Sequence, residues 1–558
     1  MTISSSVFRF ATVLLGACLL APGVAMAAEA RPNILVVMID DMGYSDPGCF
    51  GGEVKTPNLD ALAADGVRLR QFYNCARCCQ TRASMLTGAY PHRVNMKEFG
   101  RTMDMTVPTV AENLRDSGYA TAMVGKWHLS ELPRTRNENR RILWMNHEID
   151  LPIPFVEEGS YPTDRGFERF YGIVWGVVDH FDPFSLVEGK TPVAEVPDDF
   201  YFSDAITDRA VADLDEFAGG EKPFFLYVAY TAPHWPLHAR PEDIAKYKNR
   251  YQAGWEALRK ERFDRQQAIG LIEEETPRGA ISGRGGDWDN LSEADREFEA
   301  DKMAVHAAMV DRVDQGIGKI VEQLRKNGQL DNTVLVFLSD NGASPEIPQA
   351  AGYDRNGGTR DGRTALRDGA LRKPENRDKL GTDESYTGIG ASWASATNTP
   401  LRFWKAESYD GGCRTPVVIH WPTGLGDRDG AWVDTVGHVI DLAPTFYELA
   451  QAQPQSGTLQ DGVSLAATFR GEEQSIDRTL YFDHGAGRGV RQGDWKASKR
   501  GQGDWELFNL AVDPGETNNL AREKPEVLEG LIAQWAEWIK TAEQKPASSL
   551  AHHTADAE

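Results

Sequence analysis

Two pairs of oxygen-donor side chains, Asp40-Asp41 and Asp340-Asn341, are candidate ligands for a divalent cation. Because the set contains neither Cys nor His, it suits Ca²⁺ or Mg²⁺ better than zinc. Either pair alone is typical of a turn after a strand, since Asp and Asn are common turn residues. Together with the polar groups described next, the two pairs predict one metal site that attracts an anionic oxygen.

Four further side chains are candidates for anion binding and proton transfer: Lys126, His128, His234 and Lys405. The two lysines are fixed cations, and the two histidines titrate near neutral pH. His128 and His234 are singled out because each follows an apparent strand. Other histidines, such as His92 and His238, are expected to be hydrogen-bonded or surface residues.

A cysteine-rich stretch offers a nucleophile. Residues 74–88 read Asn-Cys-Ala-Arg-Cys-Cys-Gln-Thr-Arg-Ala-Ser-Met-Leu-Thr-Gly, which places Arg82 four residues after Cys78. On a helix this spacing puts both side chains on one face, and the helix N-terminus adds positive potential. Vicinal Cys78 and Cys79 make a poor structural bridge, and a disulfide framework is not expected in a domain of this size. Chemistry at one of the two cysteines is the more economical interpretation.

The elements that must position these groups are four apolar, β-rich runs at 33–39, 120–124, 224–230 and 333–338. Such runs predict buried strands, and ligands of doubly wound α/β sheets lie beyond the carboxyl ends of the strands. If the four strands are parallel neighbours, the polar residues that follow them converge on one site. The long segment 342–399 shows little periodicity and is expected to form a rim of that site.

Helical patterns at 58–64, 109–117 and 302–327 alternate with the strands, so the sequence predicts an α/β fold with a large, mostly parallel sheet flanked by helices. This catalytic domain is expected to span 32–455 and to end in a helix at 439–450. A smaller C-terminal domain, 460–545, is predicted to combine a short antiparallel sheet with a terminal helix near 525–541. The tail 546–558 is expected to be disordered.

Residues 74–88 resemble the signature of the sulfatase family, which is Cys, any residue, commonly Pro, any residue and Arg, followed by a segment much like 83–88. Cys78 and Arg82 fall on the family's Cys and Arg, whereas Gln80 stands where Pro is commonest. Cys79 is the alternative nucleophile, but its spacing to Arg82 does not fit. More segments resemble the family, in the family's order: 56–60, 125–128, 232–237, 339–342, 398–402, 490–496, 505–508 and 513–520. The sequence departs from the family near Lys405, where 408–412, Ser-Tyr-Asp-Gly-Gly, replaces a His/Trp-Glu-Gly-Gly pattern.

The resemblance implies that Cys78 is oxidised to formylglycine by a formylglycine-generating enzyme. The hydrate of that aldehyde supplies a diol, of which one hydroxyl attacks sulfur and the other later expels sulfate by elimination. The resemblance also implies roles for the remaining candidates. The cation, expected to be Ca²⁺, is bound by Asp40, Asp41, Asp340 and Asn341. Asp340 also accepts the proton of the attacking hydroxyl, Arg82 and Lys126 hold the diol, and His128 deprotonates the second hydroxyl. Lys405 and His234 bind sulfate oxygens and assist departure of the alcohol.

The net charge of the chain and its first residues indicate which partners it binds and where it is located. The net charge of −23 argues against nucleic acid as a partner, because phosphate binding needs a basic face. Residues 1–28 resemble a secretory signal, with Arg9 before an apolar run that ends in small residues. An exported protein, periplasmic or extracellular and without stable membrane insertion, is expected. Lipidation at Cys18 is a second possibility.

Several alternatives and the substrate stay open at this point. A phosphodiesterase or phosphonate monoester hydrolase of the same superfamily is the nearest rival, and a catalytically silent protein that binds sulfated glycans is another. A two-zinc phosphatase needs a second set of His and Asp ligands, which is not obvious here. Aryl sulfates and sulfated carbohydrates share the expected core. Their leaving groups are expected to contact 342–399, 131–156 and His484, while Trp175, Trp235, Trp393 and Trp404 either stack on a ring or pack in the core.

Overall fold

The computed structural model describes residues 1–2, 31–131, 143–144, 154–282, 286–349, 365–426, 430–485 and 487–543. The chain divides into two units, Met1–Arg31 and Pro32–Glu558, and every element below belongs to the second unit. The expected signal segment beyond Thr2, with Cys18, and the expected tail 546–558 lie outside the described residues. No helix in the described ranges has the length and apolar character needed to cross a membrane.

Within the described ranges, seventeen strands form three sheets. In chain order the strands are β1 (Asn33–Asp40), β2 (Val67–Tyr73), β3 (Ala120–Lys126), β4 (Arg169–Ile173), β5 (Leu186–Glu188), β6 (Thr191–Pro192), β7 (Phe224–Pro233), β8 (Thr333–Ser339), β9 (Leu366–Arg367), β10 (Ser385–Tyr386), β11 (Arg414–His420), β12 (Ala431–Val433), β13 (Gly437–His438), β14 (Thr479–Asp483), β15 (Gly487–Gln492), β16 (Trp495–Arg500) and β17 (Trp505–Asn509).

The large sheet has eleven strands in the order β12-β2-β11-β8-β1-β7-β3-β4-β5-β6, with β13 paired to β2. Its centre, β8-β1-β7-β3, is parallel throughout, which confirms the four predicted strands as neighbours. β1, β7 and β8 are buried along their whole length, as expected for apolar strands covered on both faces. The sheet is mixed because β11 runs antiparallel to β8 and β2, and β5 runs antiparallel to β4 and β6.

Fourteen α-helices lie in the described residues. They are α1 (Pro57–Ala64), α2 (Cys78–Thr87), α3 (Val110–Asp116), α4 (Phe202–Ala218), α5 (Pro241–Ala245), α6 (Gly254–Ala268), α7 (Glu293–Lys326), α8 (Asp368–Leu371), α9 (Ala391–Thr397), α10 (Asp410–Cys413), α11 (Pro422–Leu425), α12 (Leu442–Leu449), α13 (Ala466–Phe469) and α14 (Pro525–Ala542).

Capping explains where two of the predicted helices begin. Thr109 and Glu112 form a capping box at the start of α3, close to the predicted boundary. The predicted start of α7 at residue 302 is wrong, because the helix begins at Glu293, where the Ser292 hydroxyl accepts a hydrogen bond from the Asp295 N–H. The expected helix at 439–450 begins with a 3₁₀ turn, Val439–Asp441, before α12.

A four-stranded antiparallel sheet, β14-β15-β16-β17, forms near the end of the described chain, and α14 follows it. Both features match the predicted strands and terminal helix. At this sheet, the buried ammonium of Lys496 contacts Asp410 Oδ1 at 2.5 Å and Glu516 Oε1 at 3.0 Å. Because Asp410 begins α10, just after Lys405, this buried ion cluster ties the small sheet to a segment of the candidate site. The boundary expected at 455–460 stays a prediction.

Candidate active site

The ten side chains predicted to carry chemistry meet at the carboxyl edge of the central strands. Asp40 and Lys126 end β1 and β3, His234 follows β7, and Asp340 and Asn341 follow β8. Cys78 is the first residue of α2, which places Arg82 one turn further along the same helix. All ten are buried except His128, which is partly exposed. The convergence predicted from parallel strand ends is therefore confirmed.

The carboxylates form a tight cluster. One ligand atom each from Asp40, Cys78 and Asp340 lie within 4.8 Å of one another, as do atoms of Asp40, Asp41 and His234. Asp41 adopts a left-handed backbone conformation (φ 65°), and its Oδ1 accepts a hydrogen bond from Asn341 Nδ2 at 2.5 Å. Asp40 Oδ1 and Asn341 Oδ1 are buried without a hydrogen-bond partner in the described residues. Two unpartnered buried oxygens that converge with further carboxylates are what a hard cation requires.

The electrostatic environment of these carboxylates also favours a bound cation. Burial raises the pKa of Asp40 to about 6, and raises the pKa values of Asp41 and Asp340 to about 7. Mutual repulsion adds to the effect, because Asp41 raises the pKa of Asp40 and Asp40 raises that of Asp340. A divalent cation stabilises the ionised carboxylates and relieves this repulsion. The donor set therefore fits a Ca²⁺-like ion.

Arg82 is a fully buried cation that connects the cluster to the sheet. Its Nε and one terminal nitrogen donate to Asp340 Oδ2 at 3.1 and 2.7 Å. The other terminal nitrogen donates to the carbonyl of Lys126 and to the hydroxyl of Tyr227, each at 3.2 Å. Burial disfavours the charged guanidinium, but Tyr227, Asp340 and Asp40 more than offset this and raise its pKa. Arg82 therefore stays a fixed cation next to the nucleophile position.

Cys78 lies between a cation and a histidine. Its Sγ is 3.4 Å from His128 Nδ1, while Lys126 Nζ donates to Asp40 Oδ2 at 2.5 Å. The hydrogen bond with Cys79 lowers the pKa of Cys78 well below its usual range despite burial, and Lys126 and His128 lower it further. Burial raises the pKa of Cys79 well above its usual range. Cys78 is therefore the more acidic thiol of the vicinal pair.

His128 is held in place by a residue without a side chain. A Cβ on Gly176 would lie 2.3 to 2.7 Å from the His128 ring, so only glycine leaves room for the imidazole there. Burial lowers the pKa of His128, and Lys126 and Arg82 lower it further against the opposing effect of Cys78. The ring is therefore neutral near pH 7 and able to accept a proton.

Lys405 lies opposite, in contact with Asp41 and His234. Its Nζ is 3.0 Å from Asp41 Oδ2 and 3.0 Å from His234 Nε2. His234 Nδ1 lies 2.7 Å from the Trp235 carbonyl, an acceptor, which leaves Nε2 to accept from the lysine. An ammonium group has three donors, and these contacts use two of them. The third is available to a substrate oxygen.

The local departure from the family pattern does not move Lys405 out of the site. The Lys405 N–H donates to the Ala343 carbonyl at 3.1 Å, and the Gly342 N–H donates to the Gly412 carbonyl at 3.1 Å. A Cβ on Gly342 would lie 1.7 Å from the Gly411 carbonyl oxygen, so the two segments pack backbone against backbone. Residues 405–412 are thus fixed directly to the segment that carries the candidate metal ligands Asp340 and Asn341.

The site opening contains residues that the sequence did not single out. Glu346 Oε2 accepts from Trp235 Nε1 at 2.7 Å and lies 3.7 Å from Lys405 Nζ. Phe99 stacks on His128 with the ring planes 10° apart. Trp175, which the sequence did indicate, has its ring centroid 6.2 Å from that of His128. The only sequence signal for Glu346 is its place in the expected rim segment, and Phe99 had none.

The remaining residues named from the sequence have structural contacts. Trp393 and Trp404 are buried in the core. His238 Nε2 contacts the Ser385 carbonyl at 2.7 Å, and His484 Nε2 contacts Ser408 Oγ at 3.1 Å. The His92 side chain is 1% exposed although the residue as a whole is partly exposed; its Nε2 lies 4.0 Å from Asp483 Oδ2, and neither ring nitrogen has a hydrogen-bond partner in the described residues. Residues 132–142, 145–153 and 350–364 of the expected leaving-group segments lie outside the described residues.

The chain is similar to known proteins over most of its length. A family model named Sulfatase matches residues 32–452. The chain is 32% identical to an arylsulfatase of Klebsiella aerogenes, covering 80% of this chain and 94% of that one. It is 30% identical to an uncharacterized sulfatase of Schizosaccharomyces pombe, covering 91% and 93%.

Among solved structures, that of Ps i-CgsB in complex with k-i-k-neocarrahexaose matches with a TM-score of 0.64 at 25% identity, covering 93% of this chain and 94% of that one. The fold, the family model over most of the chain and the curated relatives point the same way. The chain therefore belongs to the sulfatase family and is a sulfuric ester hydrolase.

Proposed function

We propose that this sulfatase is exported and hydrolyses sulfate monoesters of phenols or carbohydrates, with formylglycine made from Cys78 as its nucleophile and one Ca²⁺ as its cation. The observation that carries the proposal is the position of Cys78 against Asp40 and Asp340, within 4.8 Å, at the start of the helix that presents Arg82. Sulfur is a poor match for a hard-oxygen site. Replacing sulfur by oxygen at position 78 makes the donor set uniform.

The cation and the formylglycine at position 78 would each supply one kind of chemistry. The Ca²⁺, held by Asp40, Asp41, Asp340 and Asn341, would neutralise charge on the sulfate group. The hydrated aldehyde at position 78 would supply one hydroxyl to attack sulfur and a second hydroxyl through which sulfate is later eliminated. The two oxygens without protein partners, on Asp40 and Asn341, support the first assignment.

The residues around position 78 have distinct tasks in this scheme. Arg82 and Lys126 favour the ionised carboxylates against the effect of burial and place positive charge beside position 78. His128 accepts a proton from the group at position 78, because its Nδ1 already faces that side chain and burial keeps the ring neutral. Asp340, whose Oδ2 is engaged by Arg82, is the candidate acceptor for the other hydroxyl proton.

The opposite wall acts on the sulfate and the leaving group. Lys405 stays charged because Asp41 and Glu346 more than offset its burial and raise its pKa. Its third N–H donates to a sulfate oxygen or to the departing alcohol oxygen. His234 accepts from Lys405 and thereby fixes the direction of that third donor. Preorganised donors of this kind supply much of the rate enhancement of enzymes.

The substrate class and the export of the protein rest on further support. The Klebsiella relative is named an arylsulfatase, and the Ps i-CgsB structure contains a neocarrahexaose. Residues 1–28 have the composition of a secretory signal. N-terminal sequencing of the mature protein from its native host tests export: a start near residue 28 agrees with it, and a chain that keeps residues 1–27 contradicts it.

Sulfate release from 4-nitrophenyl sulfate and from a monosulfated monosaccharide, measured by ion chromatography, tests the activity. The protein is produced with a formylglycine-generating enzyme and is assayed with Ca²⁺ or after chelation. We expect Ca²⁺-dependent release by the wild type and by Cys79→Ala, and none by Cys78→Ala. Equal release by Cys78→Ala and wild type, or release that survives chelation, contradicts the proposal.

A further inference from the structure

Arg77, the residue directly before Cys78, has a guanidinium group that meets no hydrogen-bond acceptor in the described part of the chain. Its guanidinium carbon lies 4.9 Å from the centroid of the Phe99 ring. Its Nε is buried without a hydrogen-bond partner, and no ion pair involves this arginine in the described residues. A buried donor without a partner is costly, so such a group usually meets a ligand or water. Arg77, which is next to the candidate nucleophile in the sequence, thus has N–H donors that no acceptor in the described residues uses.

Phe99 continues this surface toward the reaction centre. It is 46% exposed and is the one aromatic side chain among the large exposed hydrophobic residues of the described ranges. Its ring lies 5.9 Å from the His128 ring and nearly parallel to it. His128 in turn lies 3.4 Å from the Cys78 thiol. Phe99 is therefore linked to position 78 through the His128 ring.

Neither of two nearby carboxylates, Glu407 and Glu346, forms an ion pair with Arg77. Burial raises the pKa of Glu407 and the charges of Arg500 and Arg77 lower it; its Oε1 accepts from Arg500 Nε at 2.5 Å, and its Oε2 is buried without a hydrogen-bond partner in the described residues, with no ion pair to Arg77 within 4.0 Å. Glu346 accepts from Trp235 and lies beside Lys405. The opening therefore has a carboxylate on the Lys405 side and an uncommitted guanidinium on the Cys78 side.

We propose that Arg77 and Phe99 form a leaving-group subsite that binds a second anionic group, a carboxylate or another sulfate, on the alcohol part of the substrate. The reacting sulfate is already assigned to Lys405 and the cation, and Arg82 and Lys126 lie beside the nucleophile position, so a further guanidinium at residue 77 is suited to a different anion. A neutral leaving group covers Phe99 but leaves Arg77 without a partner. This inference rests on the proposed function and narrows it to substrates that carry at least two negative charges.

Three matched aryl esters test the subsite: 4-carboxyphenyl sulfate, its neutral methyl ester, and 1,4-phenylene disulfate. We expect the wild type to have a higher kcat/KM for the two dianionic esters, although the protein's net charge of −23 opposes their approach. Whichever dianion reacts faster identifies the preferred anionic group. A wild type that shows no preference for either dianion over the methyl ester overturns the subsite without any variant.

Substitution then assigns the preference to Arg77. Arg77→Met should lower kcat/KM for the preferred dianion by about tenfold to a hundredfold, the usual effect of losing a charge-assisted hydrogen bond, and leave the methyl ester within about twofold. Arg77→Lys should restore part of the loss. Arg101→Met is the control: it removes a charge close to Phe99 in the sequence, where Arg101 pairs with Glu98, and it should leave kcat/KM unchanged for the preferred dianion and for the methyl ester.

Two outcomes separate this inference from the proposed function. If Arg77→Met lowers all three esters alike, Arg77 has a structural role and the subsite is overturned while the hydrolase activity stands. If the wild type hydrolyses none of the three esters, the proposed function fails and the subsite fails with it.

Discussion

Replacement of Lys405 by Met tests the part of the site where the sequence departs most from the family pattern. The change removes an ammonium whose contacts, 3.0 Å to Asp41 and 3.0 Å to His234, leave one donor for the substrate. Methionine has a similar length and no charge. It therefore deletes the donor while filling much of the same space.

The expected loss follows from burial and geometry. Lys405 is 5% exposed, so its hydrogen bond to a developing oxyanion is poorly screened by water. Removing one preorganised donor from such a site costs about 10²- to 10³-fold in kcat, or about 3 to 4 kcal/mol. Binding of Ca²⁺ should not weaken, because Asp41 loses a competing cation and keeps its hydrogen bond from Asn341.

The assay is steady-state hydrolysis of 4-nitrophenyl sulfate, with Ca²⁺ affinity measured by calorimetry on the same samples. Lys319→Met is the matched control, because the Lys319 side chain is 56% exposed and forms a surface ion pair with Asp208, so we expect a kcat within about twofold of the wild type. A Lys405→Met enzyme within about threefold of the wild-type kcat refutes the assigned role. A variant that also loses Ca²⁺ affinity shows instead that the lysine maintains the site's structure.

Three further expectations follow from the same geometry. His128→Gln should lower kcat by about 10²- to 10⁴-fold and remove the acid limb of the kcat–pH profile, because burial lowers the pKa of the wild-type imidazole and only its neutral form accepts a proton; an unchanged acid limb speaks against His128 as the base. Gly176→Ala places a Cβ 2.3 Å from the His128 ring and should lower kcat by about tenfold or more with Ca²⁺ affinity intact, and wild-type turnover is the contrary result. In the Ca²⁺-free protein, burial raises the pKa of Asp40 to about 6 and the pKa values of Asp41 and Asp340 to about 7, from an ordinary value of 3.8. Between pH 3.8 and about 7 the folded state therefore binds more protons than the unfolded state, so the stability of the fold should fall as the pH rises through this range. Melting curves at about pH 5 and about pH 8, with and without Ca²⁺, check this last expectation, since the cation should abolish the decline; a metal-free protein that is more stable at the higher pH contradicts it.

The sheet and the position of the site were predictable because the relevant signals are local. Four apolar runs followed at once by Asp, Lys, His and Asn residues indicate buried parallel strands with polar carboxyl ends. The spacing of Cys78 and Arg82 predicts a shared helix face, and α2 has that geometry. Sequence patterns of this kind depend only on residues close together in the chain.

Groups that depend on tertiary packing were not predictable. Tyr227 lies inside an apolar strand run, and nothing in that run shows that its hydroxyl meets Arg82 at 3.2 Å. Phe99 and Glu346 lie in irregular segments whose positions are fixed by distant residues, such as Trp235 for Glu346. Likewise, only the structure shows that Lys405 reaches the site through a backbone hydrogen bond to Ala343.

Mass spectrometry of the tryptic peptide 78–82, freed by cleavage after Arg77, tests the central claim most directly. The protein is taken from its native host, or from a host that supplies a formylglycine-generating enzyme. The proposed mechanism predicts an aldehyde or its hydrate at Cys78, with fragment ions that leave Cys79 as a thiol. An unmodified Cys78 in protein that hydrolyses sulfate esters would contradict it.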